Sequence, residues 1–248
     1  MTHQGYFERI EQLDRARSVE ELHAGCADIC ADYGFEHFLY GARIPVSLVK
    51  PQMFIISGYP NSWWQHYKDQ GYMGVDPTVS HCATRHVPLY WGAPEVAGTA
   101  GSSARKMMRE AGEFGLCNGL SIPVHGSQGE NALLALTTSA PPERSEGWIR
   151  EALPFVQALA PFVHEAARRI IEIREISPAR PRLTSREKEC LLWAAEGKTS
   201  WETSQILGVA ERTVIFHLQN AAAKLEVSGK QHAVARAISL GLIATHPA

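Results

Sequence analysis

The stretch from Thr184 to Leu242 reads TSREKECLLWAAEGKTSWETSQILGVAERTVIFHLQNAAAKLEVSGKQHAVARAISLGL. Four short amphipathic helices fit it, each with its own start signal. Thr184 and Glu187 have the spacing of a capping box, in which the threonine oxygen accepts an orphan backbone N–H and the glutamate reaches back. Leu191, Leu192 and Ala195 follow as an apolar face, and Gly197 stops the helix. Thr199 and Glu202 start a second helix that ends at Gly208. A third runs from about Glu211 to Glu226. Ser228 and Gln231 are placed to cap a fourth, closed by Gly241. A short helix, a glycine turn and a longer helix make a helix-turn-helix, whose second helix enters the DNA major groove.

At these residues the chain resembles the LuxR family of bacterial quorum-sensing transcription factors. The residues that carry the resemblance are Thr184, Glu187, Glu189, Gly197, Lys198, Thr199, Glu202, Thr213, Val214, His217, Lys224, Leu225, Ala233 and Gly241-Leu242-Ile243. On the third helix Val214, Leu218, Ala221 and Leu225 recur at helical spacing and should face the core. Glu211, Arg212, Ile215 and Gln219 are turned away from it. The expected DNA-contacting set is Lys198, Thr199, Arg212, Thr213, Ile215, His217, Gln219 and Lys224. Within it, Lys198, Arg212 and Lys224 are phosphate candidates. Gln219 can pair with adenine, and Ile215 can meet a thymine methyl.

The chain has 248 residues and a net charge of −2, with 45% hydrophobic residues, enough for real cores. From Arg182 onward eight Lys/Arg stand against six Asp/Glu, a net +2, which leaves −4 on the rest. A slightly basic tail on an acidic body suits a DNA-binding module beside a domain that avoids DNA. No run reaches the roughly 18 apolar residues of a membrane span. Glu8, Arg9, Glu11 and Asp14 near the N-terminus have no apolar signal-peptide core behind them, so a cytoplasmic protein without a membrane role is expected. Five cysteines without a CxxC pair read as reduced, packed thiols, and no metal site or cofactor is expected.

Upstream, residues 6–17 and the segment capped by Ser18 and Glu21 read as helices. Phe35 to Arg43 and Gln52 to Ser57 read as strands. Asn61 is placed to cap a helix carrying Trp63, Trp64 and Tyr67, and Asp76-Pro77 opens another. Ser102 to Phe114 is helical, Gly119 to His125 and Asn131 to Thr138 are paired strands, and Trp148 to Ile176 is a long helix. Glu143, Arg144 and Glu146 read as a solvated loop. The fold class is α+β: an N-terminal α/β/α sandwich on an antiparallel sheet, residues 1–176, then a proline-rich linker, 177–181, then an all-α helix-turn-helix domain, 182–248. Four strands are read directly, and the family's ligand domain implies a fifth.

The resemblance extends to Trp63, Tyr67, Asp76, Pro77, Trp91 and Gly119, where LuxR-type autoinducer domains carry their signature. The run from Tyr72 to Cys82 is similar to the LasR-like branch of long-chain acyl-homoserine-lactone receptors. The implied ligand is an acyl-homoserine lactone. The Trp63 indole N–H, a donor only, suits the lactone carbonyl. The Asp76 carboxylate, an acceptor, suits the amide N–H, and the Tyr59 hydroxyl can donate to the amide carbonyl. Tyr67 and Trp91 would wall the head group, and Leu39, Gly41, Leu133 and Ala135 could line the tail. That branch has arginine and serine where this chain has Trp64 and Ala135, and Thr137 could supply the lost hydroxyl. Arg43 could point into the pocket or lie on the surface.

The implied function is a non-enzymatic, lactone-responsive transcriptional regulator. It would bind a pseudo-palindromic double-stranded DNA site as a homodimer, with RNA polymerase as a further partner. A regulator of the same family that senses another small molecule is the nearest alternative. A phosphorylated response regulator would need a receiver domain with an acidic cluster and a late lysine. A lactone hydrolase would need HxHxDH-type metal spacing or GxSxG. Neither pattern occurs.

Overall fold

The computed structural model describes residues 3–44, 52–93, 101–126, 129–173 and 181–243. The chain divides into two compact units. The first takes Met1–Arg43, Met53–His125 and Asn131–Ile176, and the second is built on Ser177–Ala248. Residues 177–180 of the expected linker, and the loop bracketed by Pro45 and Pro51, lie outside the described residues.

The first unit opens with α1 (His3–Arg15) and α2 (Val19–Tyr33). Ser18 caps α2 by accepting the Glu21 N–H, but the Glu21 carboxylate reaches the N–H of Arg17, at 2.6 Å, one residue before the box position. The sheet follows: β1 (His37–Ile44), β2 (Gln52–Ser57), β3 (Leu89–Tyr90), β4 (Asn118–His125) and β5 (Asn131–Thr138), in the order β2-β1-β5-β4-β3. β1 pairs antiparallel with β5, β5 with β4, and β4 with β3. β3 is the fifth strand. Two residues after Pro88 show no alternation, so its place is set by pairing Leu89 with Ser121 and Tyr90 with Leu120.

Successive side chains alternate across a sheet, and here each face has its own core. Phe38, Tyr40, Ala42, Leu120, Ile122, Leu134 and Leu136 are buried on one set of positions. α6 (Pro142–Ile173) packs on β4 and β5, and α1 and α2 pack on α6. Leu39, Leu133 and Ala135 fall on the opposite set and join a cluster with residues of α3 (Asn61–Asp69), a 3-10 turn (Tyr72–Gly74), α4 (Pro77–Thr84) and α5 (Ser102–Glu113). The layering is helix, antiparallel sheet, helix, as expected.

Three local expectations are corrected. Asn61 is the first residue of α3, with Pro60 in the cap position and no side-chain cap bond. Glu143, Arg144 and Glu146 belong to α6, because Pro142 begins the helix well before the apolar period at Trp148. Ser228 does not cap: Gly229, at φ 88°, takes that position without a side-chain bond, and the helix starts at Lys230.

The second unit contains α7 (Ser185–Ala195), α8 (Ser200–Leu207), α9 (Glu211–Lys224) and α10 (Lys230–Ser239). Both halves of the capping box form at Thr184/Glu187 and at Thr199/Glu202. Val214, Leu218, Ala221 and Leu225 are buried with Leu191, Ala233, Ala237 and Ile243, so the core face of α9 is the one its period gives. Glu226 closes α9 with φ 55°, a left-handed position usually held by glycine or asparagine.

Candidate functional site

In the first unit Trp63, Tyr67, Trp91, Leu133 and Ala135 are buried in one aromatic-rich cluster, with Leu39, Tyr59 and Trp64 packed against it. Helical spacing on α3 sets Trp63 and Tyr67 on one side, ring centroids 5.8 Å apart. Trp64 stacks on Tyr67 at an interplanar angle of 11°, and Lys68 lies over the Trp64 ring.

Asp76 is the polar centre of this cluster. It caps α4: Oδ1 accepts the Thr78 N–H and the Thr78 hydroxyl, each at 2.7 Å, and a longer bond from Val79 N–H. Pro77 at the first helical position needs no such partner. Oδ2 accepts the Tyr67 hydroxyl at 3.0 Å. Among the described residues that is the only hydrogen bond to Oδ2, so this oxygen keeps capacity for another donor. Burial raises the Asp76 carboxyl above its ordinary value, and the bonds from Thr78, Tyr67 and Val79 pull it back in part. The residue as a whole is only half-buried, whereas the carboxylate is enclosed by protein.

Other polar atoms enter the same cluster. The Trp63 ring is 3% exposed, and its N–H has no hydrogen bond among the described residues. Thr137 Oγ1 is buried without a well-formed hydrogen bond. It is nonetheless close enough to draw down the Tyr59 phenol, which burial and the Asp76 charge push up. The Trp91 indole N–H is already engaged, donating to Ser121 Oγ at 2.8 Å. A Cβ on Gly41 would meet only Leu39, at an ordinary 3.6 Å. Gly119 is different: a Cβ there would collide with the Leu136 carbonyl and stand 3.0 Å from Thr137. Arg43 is exposed.

Sequence reasoning missed Glu110. Its carboxylate accepts from His66 Nε2 at 2.7 Å and from the Tyr72 hydroxyl at 2.5 Å. No local pattern announces bonds across 44 and 38 positions.

In the second unit Arg212, Ile215 and Gln219 are exposed on α9, with Thr213 and His217 half-buried beside them. Lys198 is half-buried. The Thr199 hydroxyl is engaged in its capping box, donating to Glu202 Oε2 at 2.8 Å. Lys224, expected on phosphate, lies 2.8 Å from both carboxylate oxygens of Glu187, itself 4% exposed. Its ammonium is occupied within the unit, which separates it from the other candidates. Phe216 is 57% exposed next to Ile215 at 40%, a second apolar side chain on the outer face of α9 that the helical period alone could have flagged.

Comparison with known proteins agrees with both halves. Residues 18–167 match the autoinducer-binding domain family, and residues 181–237 match the LuxR family of bacterial regulatory proteins. The transcriptional activator AhyR of Aeromonas hydrophila is 35% identical over 213 residues, 85% of this chain and 81% of that protein. The transcriptional activator LuxR of Aliivibrio fischeri is 31% identical over 234 residues, 94% of this chain and 92% of that protein. The crystal structure of Escherichia coli SdiA has the same fold, with a TM-score of 0.73 at 22% identity over 97% of this chain and 98% of that one. The chain therefore belongs to the LuxR family of bacterial transcriptional regulators, with an autoinducer-binding domain ahead of a helix-turn-helix domain.

Proposed function

We propose that the first unit holds the acyl-homoserine lactone at Asp76 and that ligand burial promotes a homodimer, which binds a pseudo-palindromic DNA site through paired α9 helices. The observation that carries the ligand assignment is the Asp76 carboxylate. One oxygen is saturated by its own helix cap, and the other is open to a donor inside an aromatic, apolar cluster. An amide N–H is the fitting donor. A charged acceptor makes such a bond worth about 1.5–3 kcal/mol net. The Trp63 indole would donate to the lactone carbonyl. Tyr59, with Thr137 behind it, would donate to the amide carbonyl, Tyr67 and Trp91 would wall the head group, and Leu39, Gly41, Leu133 and Ala135 would flank the acyl tail.

On the DNA side, Lys198 and Arg212 are the phosphate residues and Ile215 and Gln219 read bases, with Thr199, Thr213 and His217 lining the interface. RNA polymerase is the further partner, reached in the cytoplasm. A ligand that binds only the folded state stabilises it by mass action. The test is purification with and without added lactones, followed by melting, light scattering and binding to labelled operator DNA. Soluble, DNA-binding dimer only with lactone supports the reading. Equal yield, melting temperature and oligomeric state under every condition overturns it.

A further inference from the structure

Trp63 is fenced by four rings. Ring centroids lie 5.9 Å away at His66, 5.8 Å at Tyr67, 6.2 Å at Tyr72 and 5.5 Å at Phe114. Phe114 also stacks on His66 at 25°. Two of these rings, His66 on α3 and Tyr72 in the 3-10 turn, end on the same atom, Oε2 of Glu110 on α5. The Glu110 side chain is 14% exposed, and Lys106 lies 3.6 Å from its other oxygen. A carboxylate accepts only, so His66 donates from Nε2. The His66 bond, then the Tyr72 bond, hold the Glu110 carboxyl down to about 2. At neutral pH the Glu110 carboxyl is therefore an ionised acceptor for both rings.

We propose that Glu110 is a positioning residue for ligand recognition: by anchoring His66 and Tyr72 on one oxygen it sets the tilt of the Trp63 indole, and with it the aim of the Trp63 N–H. The inference rests on Trp63 being the donor to the lactone carbonyl. Tyr72 is buried, so without Glu110 its hydroxyl must find another partner or move, and the ring beside Trp63 moves with it. A glutamine whose amide oxygen takes the place of Oε2 still accepts from both Tyr72 and His66.

The test uses the full chain in a reporter cell, with unbranched N-acyl-L-homoserine lactones from butanoyl to tetradecanoyl. The best chain length is then compared with its N-acyl cyclopentylamine, which keeps the amide and tail but has no ring carbonyl. Glu110→Ala should raise the half-maximal lactone concentration about tenfold and hardly move that of the cyclopentylamine. Glu110→Gln should restore most of the response. In a Trp63→Phe background the added Glu110→Ala should shift the lactone midpoint by less than about twofold, since effects through one group do not add. Equal shifts for the two ligands, or full multiplication of the two single effects, overturn the positioning role. Should Glu110→Ala yield no soluble protein, Tyr72→Phe takes its place in the same comparison with the same outcomes, and Glu110→Gln is again expected to respond nearly as wild type does. A Trp63→Phe variant that answers lactone as wild type does would instead remove the donor assignment, and this inference with it. A Trp63→Phe loss without any Glu110 effect removes the inference alone.

Discussion

The Lys224 ammonium and the nearly buried Glu187 carboxylate form a two-pronged ion pair, 2.8 Å to each oxygen, that joins the end of α9 to the start of α7. Glu187 also accepts the Thr184 N–H at 2.7 Å, so one carboxylate serves both the cap and the inter-helix tie. These bonds hold the carboxyl below its ordinary value against the opposing effect of burial. Removing one partner leaves the other stranded. Lys224→Ala should therefore lower the melting temperature of the second unit while leaving the salt dependence of DNA binding nearly unchanged. Arg212→Ala should leave the melting temperature unchanged and reduce the salt slope by about one for each phosphate no longer neutralised. Binding titrations across salt, beside thermal melts, separate the two. A slope change for Lys224→Ala equal to that of Arg212→Ala would restore Lys224 to the phosphate set.

Asp76 gives a pH dependence of defined sign. Burial raises its carboxyl, so its ionisation disfavours the fold as pH rises through that value. An amide N–H stabilises the ionised form and lowers the value in the complex. Ligand affinity should thus be full above the raised value and fall as pH drops through it. Asp76→Asn should weaken binding about tenfold or more at neutral pH, since about 1.4 kcal/mol is a factor of ten. It should also flatten the wild-type pH profile. Affinity measured by calorimetry from neutral pH downward checks this, and parallel profiles for the two proteins would contradict it.

Gly119 lies in β4, opposite Thr137 on β5. Gly119→Ala should destabilise the first unit by roughly 1–3 kcal/mol, because the obstacle is backbone, which cannot swing aside as a side chain can. Gly41→Ala meets only Leu39 at ordinary distance and should fold normally. Melting of the two variants with saturating ligand distinguishes them. Equal melting temperatures would refute the steric argument.

Ile215 is exposed on α9 and takes no part in the core of its unit. Ile215→Ala should relax the preference for one T·A pair in each half-site by roughly 1 kcal/mol. Affinity for nonspecific DNA should hardly change. Identical base preferences for wild type and variant in a site-selection experiment would leave Ile215 as an incidental surface residue.

What was legible in the chain was local. The boxes at Thr184 and Thr199 and the buried face of α9 depend on neighbours three or four residues away, and those elements form as read. Ser228 misled because Gly229 adopts a positive φ, which composition alone does not reveal. The two-residue β3 was illegible because its existence depends on β4. The proposed ligand site was legible only through family resemblance at Trp63, Asp76 and Gly119. What the sequence could not convey was how polar atoms are shared out: Tyr67 to Asp76, Trp91 to Ser121, His66 and Tyr72 to Glu110, and Lys224 to Glu187. These partners meet through the fold, and no short-range spacing encodes them.

The proposed function rests on retention of an acyl-homoserine lactone by the Asp76 carboxylate and the Trp63 indole. It is tested most directly by mass spectrometry of the small molecule retained by protein purified from cells given a lactone panel, for wild type, Asp76→Asn and Trp63→Phe. One lactone bound near equimolar to the wild type, and sharply reduced in both variants, is the predicted result. A wild type that retains no lactone, that retains an unrelated small molecule, or that is matched by both variants would contradict it.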